Sequence, residues 1–336
     1  MDKKDLNSIE SRRSFIEKVA KGTALTTVGL SGFNGIASPL SSEKNEFVSK
    51  PIIIGIIGAE NSHTAAFGKL FNIDKEFPGV EVKYVWGETE SFAKTAMEKG
   101  SIPNQVLHPS DMLGKIDALI VDHRHGKFHL EAATPFIKAG IPTFIDKPFC
   151  YRKDEGERFL TLARQLKTPV TSYSSIAHSY DTIDIRDQID QLGKIQHLVR
   201  YGPVDMESKY GGVFFYGPHL IEPLLYFFDT NVKKVRVNKT NKNGSATLIF
   251  EDGMMVTLIF TTQHYGWQTF VETEDGVIEL KSRVEDKIPA KSDVDMVTMF
   301  KTGKEPRKHT NILHGVAIME ALEKSGINGQ WEDVTS

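Results

Sequence analysis

Several groups of residues in this sequence have types and spacings suited to chemistry. Asp146-Lys147-Pro148 follows the short apolar stretch Pro142–Ile145. That stretch reads as a buried strand, and ligands of open α/β sheets bind outside the carboxyl ends of the strands. Lys147 would therefore point into a ligand crevice. Pro148 fixes its own φ and confines Lys147 to extended conformations, so the lysine is aimed. Taken alone, the tripeptide equally fits an ordinary surface turn. His219 and Glu222 lie three apart after Gly217-Pro218, which reads as a helix start. They share the face opposite the apolar stripe Ile221, Leu224, Leu225 and Phe228. A histidine with a carboxylate neighbour is a candidate acid/base unit, and equally a helix-cap histidine beside a surface glutamate.

A further group surrounds the first strand. The run Pro51–Ile57 is apolar throughout, as a strand buried on both faces should be. The turn after it holds Gly58, Glu60, Asn61, Ser62 and His63. A dinucleotide fingerprint wants G-x-G-x-x-G here. Gly58 fills the first place, but Glu60 stands at the second and His63 at the third. A carboxylate beside a pyrophosphate is repulsive unless it turns away. Asn61 or Ser62 can cap the following helix. Glu88, just past the second strand Val80–Trp86, is the candidate for the cofactor ribose. After the strand Ala118–Val121 comes Asp122-His123-Arg124-His125. Its first residues face the same crevice, so Asp122 and His123 join Asp146 and Lys147 as candidate cofactor contacts. His123, His125 and His219 offer a metal alternative. No helical H-E-x-x-H spacing accompanies them, and loop histidines are commonly just solvated, so no metal is expected.

The elements that must position these residues alternate. Strands at Pro51–Ile57, Val80–Trp86, Ala118–Val121 and Ile141–Ile145 are separated by amphipathic stretches carrying Phe67, Leu70 and Phe71; Phe92, Ala93, Ala96 and Met97; and 128–138. A helix at Gly156–Leu166 and a strand at Pro169–Ser172 follow. This is the pattern of a doubly wound parallel sheet. Beyond residue 172 the character changes. A helix around Thr182–Gln191, a strand at His197–Tyr201 and the helix after Gly217 precede five strands between Lys234 and Leu280. Glu251-Asp252-Gly253 and Glu274-Asp275-Gly276 read as hairpin turns, and Asn311–Lys324 as a last helix. The expected class is α/β, with an N-terminal Rossmann domain over 51–172. A C-terminal α+β domain over 173–336 would carry an open, mostly antiparallel sheet. The strands ATLIF and MMVTLIF alternate only partly, so both faces of that sheet are expected to be covered, one by helices and one by a second subunit.

Bulk composition narrows the function. With 41 basic and 44 acidic residues, the net charge of −3 lacks the basic excess of a nucleic-acid binder. Cys150 is the only cysteine, which rules out an internal disulfide and a multi-cysteine metal site. The first fifty residues read as an address. Ser11-Arg12-Arg13-Ser14-Phe15-Ile16 precedes a weakly apolar stretch that Lys21 interrupts and that is too polar to span a membrane. It resembles a twin-arginine export signal with a small-residue cleavage site at Gly35-Ile36-Ala37. Periplasmic residence is the expectation, and a disordered basic tail the alternative.

Taken together, three features resemble the Gfo/Idh/MocA family of oxidoreductases. They are the PIIIGIIG strand and turn, the Asp146-Lys147-Pro148 tripeptide, and the Gly211–Glu222 stretch with G-x-H-x-x-E. Phe300-Lys301-Thr302-Gly303-Lys304-Glu305-Pro306 before the last helix also fits. The resemblance covers nearly all of 51–336 and implies NAD or NADP as cofactor and a sugar, inositol or related polyol as substrate. It carries the family's E-K-P lysine onto Lys147, with Asp146 for the glutamate. It carries the catalytic histidine onto His219, with Phe215 where the family has aspartate, and a later acidic position onto Glu222. Three functions then compete: an exported NAD(P)-dependent oxidoreductase, an NAD- or metal-assisted glycoside hydrolase or lyase, and a non-catalytic sugar-binding protein. A homo-oligomer through the C-terminal sheet is expected.

Overall fold

The computed structural model describes residues 50–335 apart from 229, 242 and 286. The export signal expected upstream lies outside the described residues. Six strands, β1 (Ile52–Ile57), β2 (Val80–Trp86), β3 (Asn104–Gln105), β4 (Ala118–Val121), β5 (Thr143–Ile145) and β6 (Val170–Ser172), form one sheet. All its pairings are parallel, in the order β3-β2-β1-β4-β5-β6. Every residue of β4 is buried, which is why it reads as an unbroken apolar run. The chain leaves β1 toward β2 and leaves β4 toward β5, so the winding reverses between β1 and β4. The ligand crevice of such a sheet lies outside the carboxyl ends of those two strands.

Helices cover both faces. On one face lie α1 (Ser62–Gly68), continued by a π-helical turn at Lys69–Ile73, and α2 (Glu90–Gly100). On the other lie α3 (His129–Lys138) and α4 (Lys153–Leu166). Helices α1 and α2 cross so closely that a Cβ on Gly68 would stand 2.6 Å from the Gly100 Cα.

The second sheet contains β7 (His197–Pro203), β8 (Val232–Thr240), β9 (Asn243–Phe250), β10 (Met255–Thr261), β11 (Gln268–Thr273), β12 (Gly276–Leu280) and β13 (Glu332–Asp333). Its order is β12-β11-β7-β10-β9-β8-β13, antiparallel except for β7 with β10. It is accompanied by α5 (Tyr180–Ile189), α6 (Val213–Tyr216), α7 (Pro218–Phe227) and α9 (His309–Asn328). Of the two coverings expected for this sheet, the helical one is present within the chain. Ala246, Leu248 and Phe250 in β9 and Val256, Leu258 and Phe260 in β10 are buried, while the residues between them stay at least partly exposed. The period is 2, and helices cover one face only.

One hydrophobic core runs from the α3 and α4 side of the first sheet (Phe136, Leu160) through α7 and α9 (Leu224, Leu322) to the second sheet (Leu248, Leu258). A second core fills the α1 and α2 side of the first sheet. It includes Met296, Val297, Met299 and Phe300 from α8 (Lys291–Thr302), an element the sequence reading did not assign. The chain thus crosses the expected boundary at residue 173 and returns to the first sheet. Each of these four side chains stabilises that contact by about 1.5–3 kcal/mol if fully buried.

Gly58 ends β1 with φ +110°, and a Cβ there would stand 2.6 Å from the Asp122 carbonyl carbon. Gly58→Ala is expected to cost roughly 2–4 kcal/mol in urea unfolding, from backbone strain plus the clash. Gly79→Ala, at φ +77° with open space around it, should cost only about 1–2 kcal/mol.

Candidate active site

Parallel neighbours β4 and β5 end side by side, which places Asp122 and Asp146 together in the crevice. Both are buried. Asn61, the N-cap of α1, donates its side-chain N–H to both carboxylates, at 2.7 Å to Asp122 and 3.3 Å to Asp146. Thr64 Oγ1, one turn into the helix, donates to Asp122 at 2.7 Å. His63 Nδ1 lies 3.0 Å from Asp146 Oδ2, and Lys147 Nζ lies 3.8 Å from the same oxygen. Burial, then the neighbouring Asp146, pushes the Asp122 carboxyl well above its usual range. Burial would raise Asp146 too, but His63 and Lys147 outweigh it and hold that carboxyl low. The Asp146 charge in turn raises the His63 pKa above 6.5. The two acids are driven apart: Asp146 carries the charge, and Asp122 favours its proton.

Lys147 is 4% exposed and reaches the second domain. Its Nζ lies 5.4 Å from the Phe215 ring centroid and 5.9 Å from that of Tyr216. His219, in the first turn of α7, is buried against Tyr216 and Trp267. Burial and the nearby Lys147 push its pKa well below 6.5, so the imidazole is neutral and able to take a proton. The expected His219–Glu222 pair is not made. His219 Nδ1 lies 2.6 Å from Ser174 Oγ instead. Glu222 accepts from the Ser174 backbone N–H at 2.8 Å and from Arg307 at 3.0 Å. Burial on nearly every side of α7 replaces the single apolar stripe expected there, so the i, i+3 spacing did not decide the partners. Glu222 therefore acts on His219 only through Ser174. Phe215 and Tyr216 also line a cavity of about 530 Å³, together with Tyr210 and Tyr265 packed against them.

The altered fingerprint turn is well ordered by its own contacts. Glu88 Oε2 accepts from the backbone N–H groups of both Ala59 and Glu60 at 2.9 Å. Its other oxygen, Oε1, is buried with no hydrogen-bond partner among the described residues. Glu60 sends its carboxylate away from the turn to the Tyr210 hydroxyl. Ser62 is exposed, and Asn61 rather than Ser62 caps the helix, accepting from the His63 N–H. His63, at the third glycine place, spans to Asp146. The metal alternative His123, His125 and His219 is corrected, because these three do not gather at metal-ligand spacing. His123 packs on Trp86 and Phe128, and burial lowers its pKa to about 3. His125 packs on Tyr151. Among the described residues, the group with metal-ligand spacing is His63, Asp122 and Asp146. Lys147 against Asp146 opposes a second cation there. Thr64, Ser174, Tyr210 and Arg307 were missed by the sequence reading. Nothing but tertiary contact marks them.

The architecture is thus a doubly wound sheet with its crevice at the β1/β4 reversal, followed by an open mixed sheet whose helix α7 supplies a buried histidine. Residues 52–174 match the family model of the Gfo/Idh/MocA oxidoreductases, the NAD-binding Rossmann fold. The match covers the first sheet and its helices, so this part of the chain is similar to the NAD-binding domain of that family. No curated protein matches the chain. Solved structures share the fold over both domains. A myo-inositol 2-dehydrogenase from Lactobacillus plantarum is 18% identical, with TM-score 0.72, covering 85% of this chain and 100% of its own. A scyllo-inositol dehydrogenase from Lactobacillus casei, solved with NAD(H) and scyllo-inositol, is 16% identical with TM-score 0.70 and the same coverage. GenD2 from gentamicin A biosynthesis, solved with NAD, is 12% identical with TM-score 0.72, covering 91% and 100%.

The His63–Asp146 pair makes stability depend on pH. A histidine whose folded pKa is raised contributes stability that is complete below its unfolded value of 6.5 and is lost as pH rises through the folded value. As pH rises above the unfolded value of 6.5, wild-type urea midpoints should therefore fall relative to His63→Gln. Parallel curves would show that the pair carries no linked proton.

Proposed function

We propose that this protein uses NAD to oxidise or reduce a secondary hydroxyl of a sugar, polyol or glycoside. The observation that carries the reading is that Lys147 and a neutral, buried His219 both pack on the Tyr216 ring, which also lines the 530 Å³ cavity. The turn fits a dinucleotide. Gly58 has no Cβ where the backbone is tightest, and the orphaned Glu88 Oε1 is placed to accept a ribose hydroxyl. Bound NAD would supply the hydride acceptor. The chain's own residues would do the rest. Lys147 would polarise the reacting oxygen, His219 would take the hydroxyl proton, and Ser174, held by Glu222, which Arg307 holds in turn, would fix the ring. Lys147 has Asp146 as its carboxylate partner, while the phenyl of Phe215 stands where the family has aspartate. The inositol dehydrogenases of the same fold support a cyclic polyol or sugar as the substrate class.

NAD-assisted glycoside cleavage would use the same residues and differ in product, whereas the metal version has no gathered histidines to support it. Export to the periplasm through Ser11–Ile16 is part of the proposal, supported by that motif alone. So is a homo-oligomer through the second sheet, supported by the partly exposed Val199, Tyr201, Ile249, Ile259 and Phe270.

Lys147→Ala and His219→Ala should each lower kcat by about 10²–10⁴-fold on a responsive sugar or polyol while NADH fluorescence still reports binding. Full activity in both variants would favour a binding role without catalysis. NAD should bind at least about 100-fold more tightly than NADP, since the Glu88 carboxylate repels a 2′-phosphate. Glu88→Gln should shrink that ratio in titrations with the two reduced cofactors, and an unchanged ratio would remove Glu88 from the ribose site.

A further inference from the structure

Departures from the dinucleotide pattern meet at one atom. Glu60 stands at the second fingerprint place, and Arg124 stands in the turn after β4. Tyr210 comes from the opposite domain, in the segment between β7 and α6. Its hydroxyl donates to Glu60 Oε1, and Arg124 Nη1 donates to the same hydroxyl oxygen at 3.2 Å. The Arg124 guanidinium lies 4.5 Å from the Tyr210 ring centroid and 5.2 Å from that of Phe215. Glu60 and Arg124 belong to the two turns that flank the β1/β4 reversal. A ligand at the reversal of such a sheet lies between those turns, and Tyr210 ties them together across that gap.

The segment that carries Tyr210 is built as a strap. It leaves β7 at Pro203, is rooted by buried Val204, and folds on itself. Ser208 N–H donates to Asp205 O, and the Gly211 and Gly212 N–H groups donate to Ser208 O. It then rejoins the domain through Gly211 and Gly212, with φ of +100° and +58°. Two successive positive-φ glycines are a backbone arrangement that other residues adopt at a cost, and hinges sit at such element ends. Asp205, Glu207 and Tyr210 also line the 530 Å³ cavity, so the segment that reaches the crevice turns borders that cavity as well.

We propose that residues 204–210 form a latch over the dinucleotide crevice, with the Tyr210 hydroxyl as its bolt and Glu60 and Arg124 as its two catches. Opening of this latch gates NAD exchange. Glu60 replaces the fingerprint glycine because the latch needs a carboxylate there. The proposal rests on NAD binding by the first domain. Charge-assisted hydrogen bonds of this kind are the strong ones, and their loss should appear in rates more than in fold stability.

The test is stopped-flow release of NADH, chased by excess NAD and followed by fluorescence. Tyr210→Phe keeps the ring and its contact with Arg124 but removes the bolt; Glu60→Gln removes the charged catch. Each should speed release about 10-fold or more, with association faster as well and urea midpoints unchanged. The double variant should release no faster than the faster single, because both lose the same contact. Release unchanged in a Tyr210→Phe protein that binds NADH overturns the latch. Should wild type fail to take up NADH while Tyr210→Ala takes it up, the closed latch is supported. Wild type and all variants failing to bind overturns the NAD reading, and the latch with it.

Discussion

Two carboxylates buried side by side at the ends of adjacent parallel strands set the terms for this crevice. Acceptor oxygens of Asp122 and Asp146 lie within 4.8 Å of each other, together with a His63 nitrogen. Two uncompensated charges at that spacing in a buried site would cost several kcal/mol. The surroundings resolve this by dividing the roles. Asp146 receives His63 and Lys147, while Asp122 receives the neutral donors of Asn61 and Thr64. Asn61 is shared, so the N-terminus of α1, the end of β4 and the end of β5 are tied into one unit. His63 at a glycine place then has a physical role, since it supplies the cation that lets Asp146 stay charged.

The site draws on elements of both sheets' layers, and the continuous core makes that possible. Lys147 is placed by β5, which is packed between helices of the first domain, and His219 by α7, which lies inside the core shared with the second sheet. Interdigitated interiors transmit small displacements rather than absorbing them. The relation between Lys147 and His219 is thus held by α9, which touches α4, α7 and β8, as much as by either residue's own strand or helix. The chain Arg307–Glu222–Ser174–His219 refines the ring's orientation within that frame. Glu222 Oε2 takes two donors along this path, in a region where an unmet group would be costly.

The altered fingerprint also becomes coherent. A glycine at the second place would allow close approach of a pyrophosphate. With glutamate there, the side chain leaves the turn for Tyr210, and the turn's N–H groups are organised by Glu88. The residues that look like losses in a motif comparison are therefore engaged in specific contacts.

Local sequence by itself determined the element pattern. The apolar run of β1, the alternation in β2 and the glycine-punctuated helices follow from period and propensity, and their order implies a doubly wound sheet followed by a strand-rich domain. It also placed Asp122, Asp146 and Lys147 at strand ends, because position at a strand end follows from the run that precedes it. It could not choose partners. Spacing of three joined His219 to Glu222, but tertiary packing turned one to Ser174 and the other to Arg307. Three histidines close in type, His123, His125 and His219, suggested a metal, yet burial against aromatic rings separated them and gathered His63 with two aspartates instead. Tyr210, Arg124 and Ser174 sit in loops with no periodic signal, and α8 returns to a sheet more than a hundred residues upstream. Strand and helix formation is governed by neighbours in the chain. Which charge meets which is governed by neighbours in space, and here only the folded core brings those together.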